Sequence, residues 1–194
     1  MRVIFDGSFP PEERLLFAEI AASIDRGERL CFLAREAGEA VGFAIVLPLP
    51  DVPGVALLDY LAVAEARRGQ GLGSALLEAL RARLDRPGAV GIILEVEPPH
   101  TAQDAAERRR RERRIAFYQR HGIHLLELAR PYMMDAYTET GLLEMRLMWW
   151  PLGPAGGLPS AELVARCIRS LFVTVYGRSP DDPALREMLG EARM

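Results

Sequence analysis

The chain has 194 residues, 49% apolar and 26% charged, the make-up of an ordinary globular protein with room for one domain and an appendage. A net charge of -3 and a sequence pI of about 5.7 offer no support for nucleic-acid binding. No apolar run approaches the ~18 residues of a membrane span, and the N-terminal MRVIFDGSF lacks a long apolar core. The expectation is a cytoplasmic protein with no membrane partner. Cys31 and Cys167 sit inside apolar patterns and are expected as buried thiols, not as a disulfide.

In chain order, Arg2 to Phe5 predicts a short strand, and Asp6-Gly7-Ser8 turns the chain. Pro10-Pro11-Glu12-Glu13 has the content of a helix start, and the apolar spacing from Leu15 to Ile24 carries that helix to Asp25. Leu30–Arg35 and Val41–Leu47 read as an antiparallel hairpin, after which Pro48, Pro50 and Pro53 stiffen the turn into a strand over Leu57–Val63. From Ser74 the residues Ala75, Leu76, Leu77, Leu80 and Leu84 recur at helical spacing. Val90–Val96 is a nearly uninterrupted apolar run, expected as a buried interior strand. A helix follows over about Gln103–Arg120, with Gly122 as its cap, then strands over Ile123–Leu128 and Leu142–Trp149. The stretch between those strands, Ala129–Gly141, is expected as a loop. Its Tyr132, Met133, Met134 and Tyr137 suit the wall of a small-molecule pocket, or a loop folded back on its own side chains.

Pro151–Pro159 is a linker by composition. Beyond it Leu163, Val164, Cys167, Ile168, Leu171, Phe172, Val175 and Tyr176 form one apolar stripe on a helix face. That stripe must be buried, either on its own domain or across a homodimer.

The turn Arg67-Arg68-Gly69-Gln70-Gly71-Leu72-Gly73-Ser74 joins a strand to a helix. Glycines let the backbone approach an anion, and the first amides of a helix have no internal partner. The spacing fits neither common nucleotide motif: no lysine follows for a P-loop, and Ser74 stands where a dinucleotide fingerprint needs its third glycine. What remains is Leu61-Ala62-Val63 followed by Arg68-x-x-Gly71-x-Gly73. This resembles the acetyl-CoA signature of the GNAT N-acetyltransferase superfamily, in which amides of the turn hold the CoA pyrophosphate. The resemblance implies an α/β GNAT fold over residues 1–150, a mixed and mostly antiparallel sheet flanked by helices, with 151–194 as linker and helical extension. It also implies acetyl-CoA as co-substrate, with Leu61, Ala62, Val63, Arg68, Gly69, Gln70, Gly71, Leu72, Gly73 and Ser74 at the cofactor.

Acetyl transfer to an amine needs a base, because an alkyl ammonium with a pKa near 10.4 is almost wholly unreactive at neutral pH. Leu94-Glu95-Val96-Glu97 places two carboxylates on one strand face, about 6.6 Å apart. Apolar neighbours and a second carboxylate both raise a glutamate pKa toward neutrality. The GNAT branch that acetylates protein N-termini carries Leu-Glu-Val-Arg here, with the Glu as base, so Glu95 inherits that role and Glu97 replaces the Arg. Phe117-Tyr118-Gln119-Arg120-His121-Gly122 is similar to the same branch's Phe/Leu-Tyr-x-x-x-Gly, whose Tyr protonates the departing thiolate, so Tyr118 is the implied acid. The plainer alternatives are a salt-bridged strand-end carboxylate and a packed helix tyrosine.

Two departures stand out. Glu95 and Tyr118 are twenty-three residues apart where the branch has about a dozen, and the excess contains Arg108–Arg111. Four consecutive arginines point all round a helix, so they are expected in solvent or along an open cleft. His121-x-x-His124 lacks further ligands, and no metal is expected. Asp59, Glu97, Tyr132 and Tyr137 are the candidates for contact with the acceptor. The reading is an N-acetyltransferase moving an acetyl group to a primary amine of a small molecule or peptide. The competing readings are a CoA-binding regulatory module without chemistry, and a nucleotide-phosphate binder.

Overall fold

The computed structural model describes residues 1–138, 141–153 and 156–191. The expected loop 129–141 and linker 151–159 each contain two residues outside this set. Helices α1 (Arg2–Ser8) and α2 (Phe17–Asp25) lead into strands β1 (Leu30–Glu36), β2 (Glu39–Pro48) and β3 (Val55–Val63). Helix α3 (Leu72–Leu84), strand β4 (Gly91–Val96) and helix α4 (Ala105–Arg120) follow. The chain then forms β5 (His124–Leu125), β6 (Tyr132–Asp135) and β7 (Leu142–Pro151), and closes with α5 (Ala161–Ser170) and α6 (Pro183–Leu189). Strand order is β1-β2-β3-β4-β7-β5, with β6 also on β7; among the described residues only the β3–β4 pair is parallel.

Three expectations fail. Arg2–Phe5 is helix, not strand. Met1, Ile4, Phe5 and Phe9 share one helical face, and the fully buried Phe5 meets Phe9, Phe17, Phe43 and Tyr60 ring to ring. That packing overrides the strand preference of a three-residue apolar run. The helix expected from Pro11 to Asp25 breaks into a 3-10 turn over Pro11–Glu13 and α2, with Arg14 extended between them. Finally, β5 is only two residues long, and the expected loop holds β6, registered Tyr132↔Met145 to Asp135↔Leu142. A four-residue strand made of Tyr, Met, Met and Asp carries little strand signal, so its pairing with β7 decides it.

The hinge of the sheet is at Gly91. Trp149, almost fully buried on β7, lies where a Cβ on Gly91 would sit, 2.1 Å from its ring. From there β3 and β4 pair for only three residues, Val55↔Gly91 to Leu57↔Ile93. They then part, although β3 continues to Val63 and β4 to Val96. The splay leaves two strand edges with unpaired backbone donors and acceptors facing one another.

The C-terminal extension packs on its own domain. Cys167, Ile168, Leu171, Phe172 and Leu185 share a buried cluster with Leu49, Val55, Leu57, Tyr132 and Trp149. α5 begins with Ser160, whose hydroxyl accepts from the Leu163 amide at 3.2 Å. It then widens into a π-helical turn over Leu171–Val175, closed by the Tyr176 amide on the Leu171 carbonyl at 2.9 Å. Such wide turns recur at functional sites.

Candidate active site

The splay opens into a cavity of about 690 Å³, lined by β3 from Leu58 to Val63, by Glu95 and Glu97, by the turn at Arg68 and Gly69, and by one face of α4. Tyr137, Tyr176, Gly7, Phe9 and Glu13 also line it.

At one end stands the turn. The Arg68 Nε donates to the Val63 carbonyl at 3.2 Å, tying the turn back to the end of β3. Gly69 (φ +78°) and Gly71 (φ +82°) adopt left-handed backbone that costs other residues about 1 kcal/mol or more. Gly71 precedes α3, and among the described residues no side chain caps this helix start. Gly73 lies against Phe117, whose ring would be 3.2 Å from an added Cβ, which brings α3 and α4 together. Leu61, Ala62, Val63, Arg68 and Gly69 line the cavity, while Gln70, Gly71, Leu72, Gly73 and Ser74 make up the rest of the turn and the helix start. Two of their side chains are engaged elsewhere: the Gln70 amide donates to the Ala66 carbonyl, and the Ser74 Oγ is 3.0 Å from His121 Nε2. What the turn offers to the cavity is thus its backbone amides, with Arg68, Arg110 and Arg113 as cavity-lining cations. That donor set fits the phosphates of CoA.

At the other end is Glu95. Its Oε1 accepts from the Tyr132 hydroxyl at 2.5 Å and its Oε2 from the Tyr176 hydroxyl at 2.6 Å. Burial pushes its carboxyl up to about 7, against the pull of the two phenols. Burial, then the Glu95 charge, push both phenols well above the usual tyrosine range, so neither is a phenolate near neutrality. Tyr118 is buried on α4 and lines the same cavity; burial raises its hydroxyl too, with Arg114 pulling the other way. Glu95 and Tyr118 therefore meet in one space despite the long segment between them.

The four side chains expected at the acceptor divide. Tyr137 lines the cavity, its ring centroid 5.9 Å from that of Tyr176 and its amide on the Glu12 carbonyl. Tyr132 does not line it; at 1% exposure it sits behind Glu95 and donates to it. Asp59 lines the cavity, but its carboxylate is held by Arg29 at 2.8 Å in a buried pair. Asp59 is the extra residue of a bulge, since Ile45 faces Tyr60 while Val46 faces Leu58. Glu97 is ion-paired with Arg111 and Arg114. Arg111 also donates to the Pro98 carbonyl (2.9 Å), Thr101 Oγ1 (2.7 Å) and Glu107 (2.6 Å), fixing the start of α4 to the end of β4. The arginine run is thus divided: Arg111 is structural, Arg108 and Arg109 are exposed, and Arg110, Arg113 and Arg114 face the cleft.

Sequence reasoning missed Tyr176 and Glu13. Tyr176 was absorbed into the apolar stripe, although a phenol on such a face needs a hydrogen-bond partner, which was the available signal. Glu13 stood in an expected helix start; burial raises its carboxyl, with Arg114 and Arg111 opposing.

The model of the Acetyltransferase (GNAT) family matches residues 1–123. The chain belongs to that family. A GNAT-family structure from Bacteroides thetaiotaomicron superposes with a TM-score of 0.72 at 29% identity, covering 92% of this chain and 91% of its own. The ribosomal-protein-S18-alanine N-acetyltransferase from Escherichia coli superposes with a TM-score of 0.52 at 29% identity, covering 79% and 84%. An aminoglycoside 6'-N-acetyltransferase complexed with coenzyme A shares the fold, with a TM-score of 0.52 at 20% identity and coverage of 74% and 82%. No curated protein matches in sequence. The protein is a GNAT-type N-acetyltransferase, of a family that uses acetyl-CoA, and its sheet is the mixed, mostly antiparallel sheet of that fold. Among the described residues of this acetyltransferase no helix is long and apolar enough to cross a membrane.

Proposed function

We propose that this acetyltransferase moves the acetyl group of acetyl-CoA directly to a primary amine of a small molecule or peptide, with Glu95 as base and Tyr118 as acid. The observation that carries the reading is the single cavity that runs from the glycine turn to both Glu95 and Tyr118. The turn amides, Arg68, Arg110 and Arg113 bind the donor's phosphates. The exposed backbone of β3 beyond Leu57 holds its amide-bearing arm in the splay. Glu95, with a pKa raised to about 7, is half ionised near neutrality and serves as the sink for the ammonium's proton without being too weak a base. The Tyr118 hydroxyl is a weak acid whose burial makes it weaker still, so it donates only when held against the departing sulfur. Tyr137 and Glu13 border the acceptor's approach; a partly anionic rim attracts a cationic amine. An α-amino terminus is the preferred acceptor class, in line with the likeness to the S18-alanine enzyme.

The deciding experiment is turnover of acetyl-CoA against a panel of small amines and N-terminal peptides, with thermal shift by CoA, ATP and NAD alongside. Acetylation of at least one amine supports the reading. Stabilisation by CoA with no turnover across the panel favours a binding module, and stabilisation by ATP or NAD but not CoA overturns the donor.

A further inference from the structure

We propose that the acceptor amine gives its proton to Tyr176, not to Glu95 directly, and that Tyr176 passes its own proton on to Glu95. The inference rests on the acetyl-transfer reading above. Each Glu95 oxygen already accepts one short hydrogen bond, 2.5 Å from Tyr132 and 2.6 Å from Tyr176, which leaves it a single further lone pair. The two phenols differ in place. Tyr132 is buried behind the carboxylate and away from the cavity, whereas Tyr176 lines the cavity beside Tyr137. With its own proton committed to Glu95, the Tyr176 oxygen keeps acceptor lone pairs for a donor arriving from the cavity. An ammonium is such a donor.

The protons balance without any net change at the tyrosine. One N–H proton of the ammonium moves to the Tyr176 oxygen as the Tyr176 proton moves to Glu95 Oε2. The result is a neutral amine, a neutral phenol and a neutral carboxylic acid. The amine lone pair then forms the C–N bond, the C–S bond breaks, and Tyr118 protonates the sulfur. Glu95 returns its proton to solvent, and the second N–H proton restores Tyr118. Burial and the Glu95 charge raise the phenol of Tyr176, so the two transfers are concerted and no phenolate is formed. Tyr176 is placed for this by the C-terminal extension: the π-turn over Leu171–Val175 closes onto its amide, and Leu171 and Phe172 anchor it in the core. The extension therefore completes the proton path.

The test compares Tyr176→Phe with Tyr132→Phe, using acetyl-CoA and the best amine of the panel, from pH 5.5 to 9. Each substitution removes one donor that lowers the Glu95 pKa, so both shift the acid limb of kcat/KM to higher pH. The other ionisable groups near Glu95 are Asp59 on β3 with its Arg29, Glu13 on the rim with Arg114, and Tyr60 and Tyr137; none is altered by either change. Only the relay residue also lowers the plateau: Tyr176→Phe should lose about 100-fold in kcat, the scale of general acid–base catalysis, with the KM for acetyl-CoA held. Tyr132→Phe should lose at least tenfold less. Equal plateaus overturn the proposal and leave Tyr176 a positioning residue. A proton inventory gives a second reading: a linear dependence on deuterium fraction in the wild type, from one proton in flight, overturns the relay. A bowed wild-type dependence whose curvature falls in Tyr176→Phe supports it, and equal curvature in both overturns it. A wild type inactive on every amine overturns the acetyl-transfer reading itself, whereas an active wild type with equal plateaus overturns only the relay.

Discussion

At the proposed donor end of the cavity the groups offered are backbone atoms of one short segment, Arg68 to Ser74. At the proposed catalytic end they are a carboxylate and two phenols from three segments, with Tyr132 and Tyr176 lying 37 and 81 residues beyond Glu95 in the chain. The difference is one of what must be specified. An anion cradle needs only backbone freedom and a helix start, which glycine spacing encodes locally. A base that works near neutrality needs burial and a counted set of donors, which only tertiary packing supplies. Damage at the two ends should therefore appear in different measurements, affinity for the donor at one and turnover at the other.

The largest effect is expected from Glu95→Gln, which should lower kcat by roughly 10²- to 10⁴-fold while CoA still stabilises the chain in a thermal melt. Loss of CoA binding in this variant would erase the separation between the two ends. The wild type should show kcat/KM falling about tenfold per pH unit below its acid limb near pH 7, as the base is protonated. Stability should move the other way. A carboxyl whose folded pKa lies above its unfolded one binds its proton more tightly when folded. Its contribution is fully present below the ordinary carboxylate range and is lost as pH rises through about 7. The melting temperature of the wild type should thus fall from pH 5 to pH 8 more than that of Glu95→Gln.

Next comes Gly71→Val at the donor end. A β-branched residue at φ +82° strains the turn by about 1–2 kcal/mol and should raise the Kd for CoA roughly tenfold, with kcat at saturating donor nearly kept. A fall in kcat with unchanged Kd would contradict a backbone-built cradle. Smallest is Arg110→Ala, an exposed cation on the cleft face of α4. Isothermal titration should show a loss of about two- to fivefold in CoA affinity that vanishes in high salt, as for any solvent-screened contact. A loss that persists in high salt would make Arg110 a desolvated contact and a larger part of the donor site.

Legibility in the sequence follows the same division. The hairpin, the strand–turn–α3 unit, β4 and α4 announce themselves through apolar runs, period and glycine positions, although α4 starts two residues later than expected, where Asp104 accepts from the Glu107 amide at 2.7 Å. Glu95 and Tyr118 were legible through neighbouring residues that resemble the family's motifs. The partners of Glu95 were not. Tyr132 belongs to a strand too short to show a period, and Tyr176 ends a stripe whose apolar pattern is fully explained by packing. Asp59 and Glu97 read as candidate acceptor contacts, whereas the structure pairs them with Arg29, Arg111 and Arg114 from other elements. α1 failed for the opposite reason: its local preference was readable, but long-range aromatic packing overrode it.

The wide turn over Leu171–Val175 also bears on how the chain tolerates length change. A turn closed from residue i to i+5 holds one residue more than an α-helical turn while bringing the chain to nearly the same bearing about the axis. Removing one codon here, such as that of the partly buried Val173, should let the helix close with ordinary α geometry and leave the following tyrosine facing Glu95. A deletion that would scramble most helices should here keep measurable acetylation, and loss of activity with a retained melt would show that the tyrosine had swung away. Tyr176 is reached by counting turns, and an alignment that counts residues would place its equivalent in a shorter relative one position out.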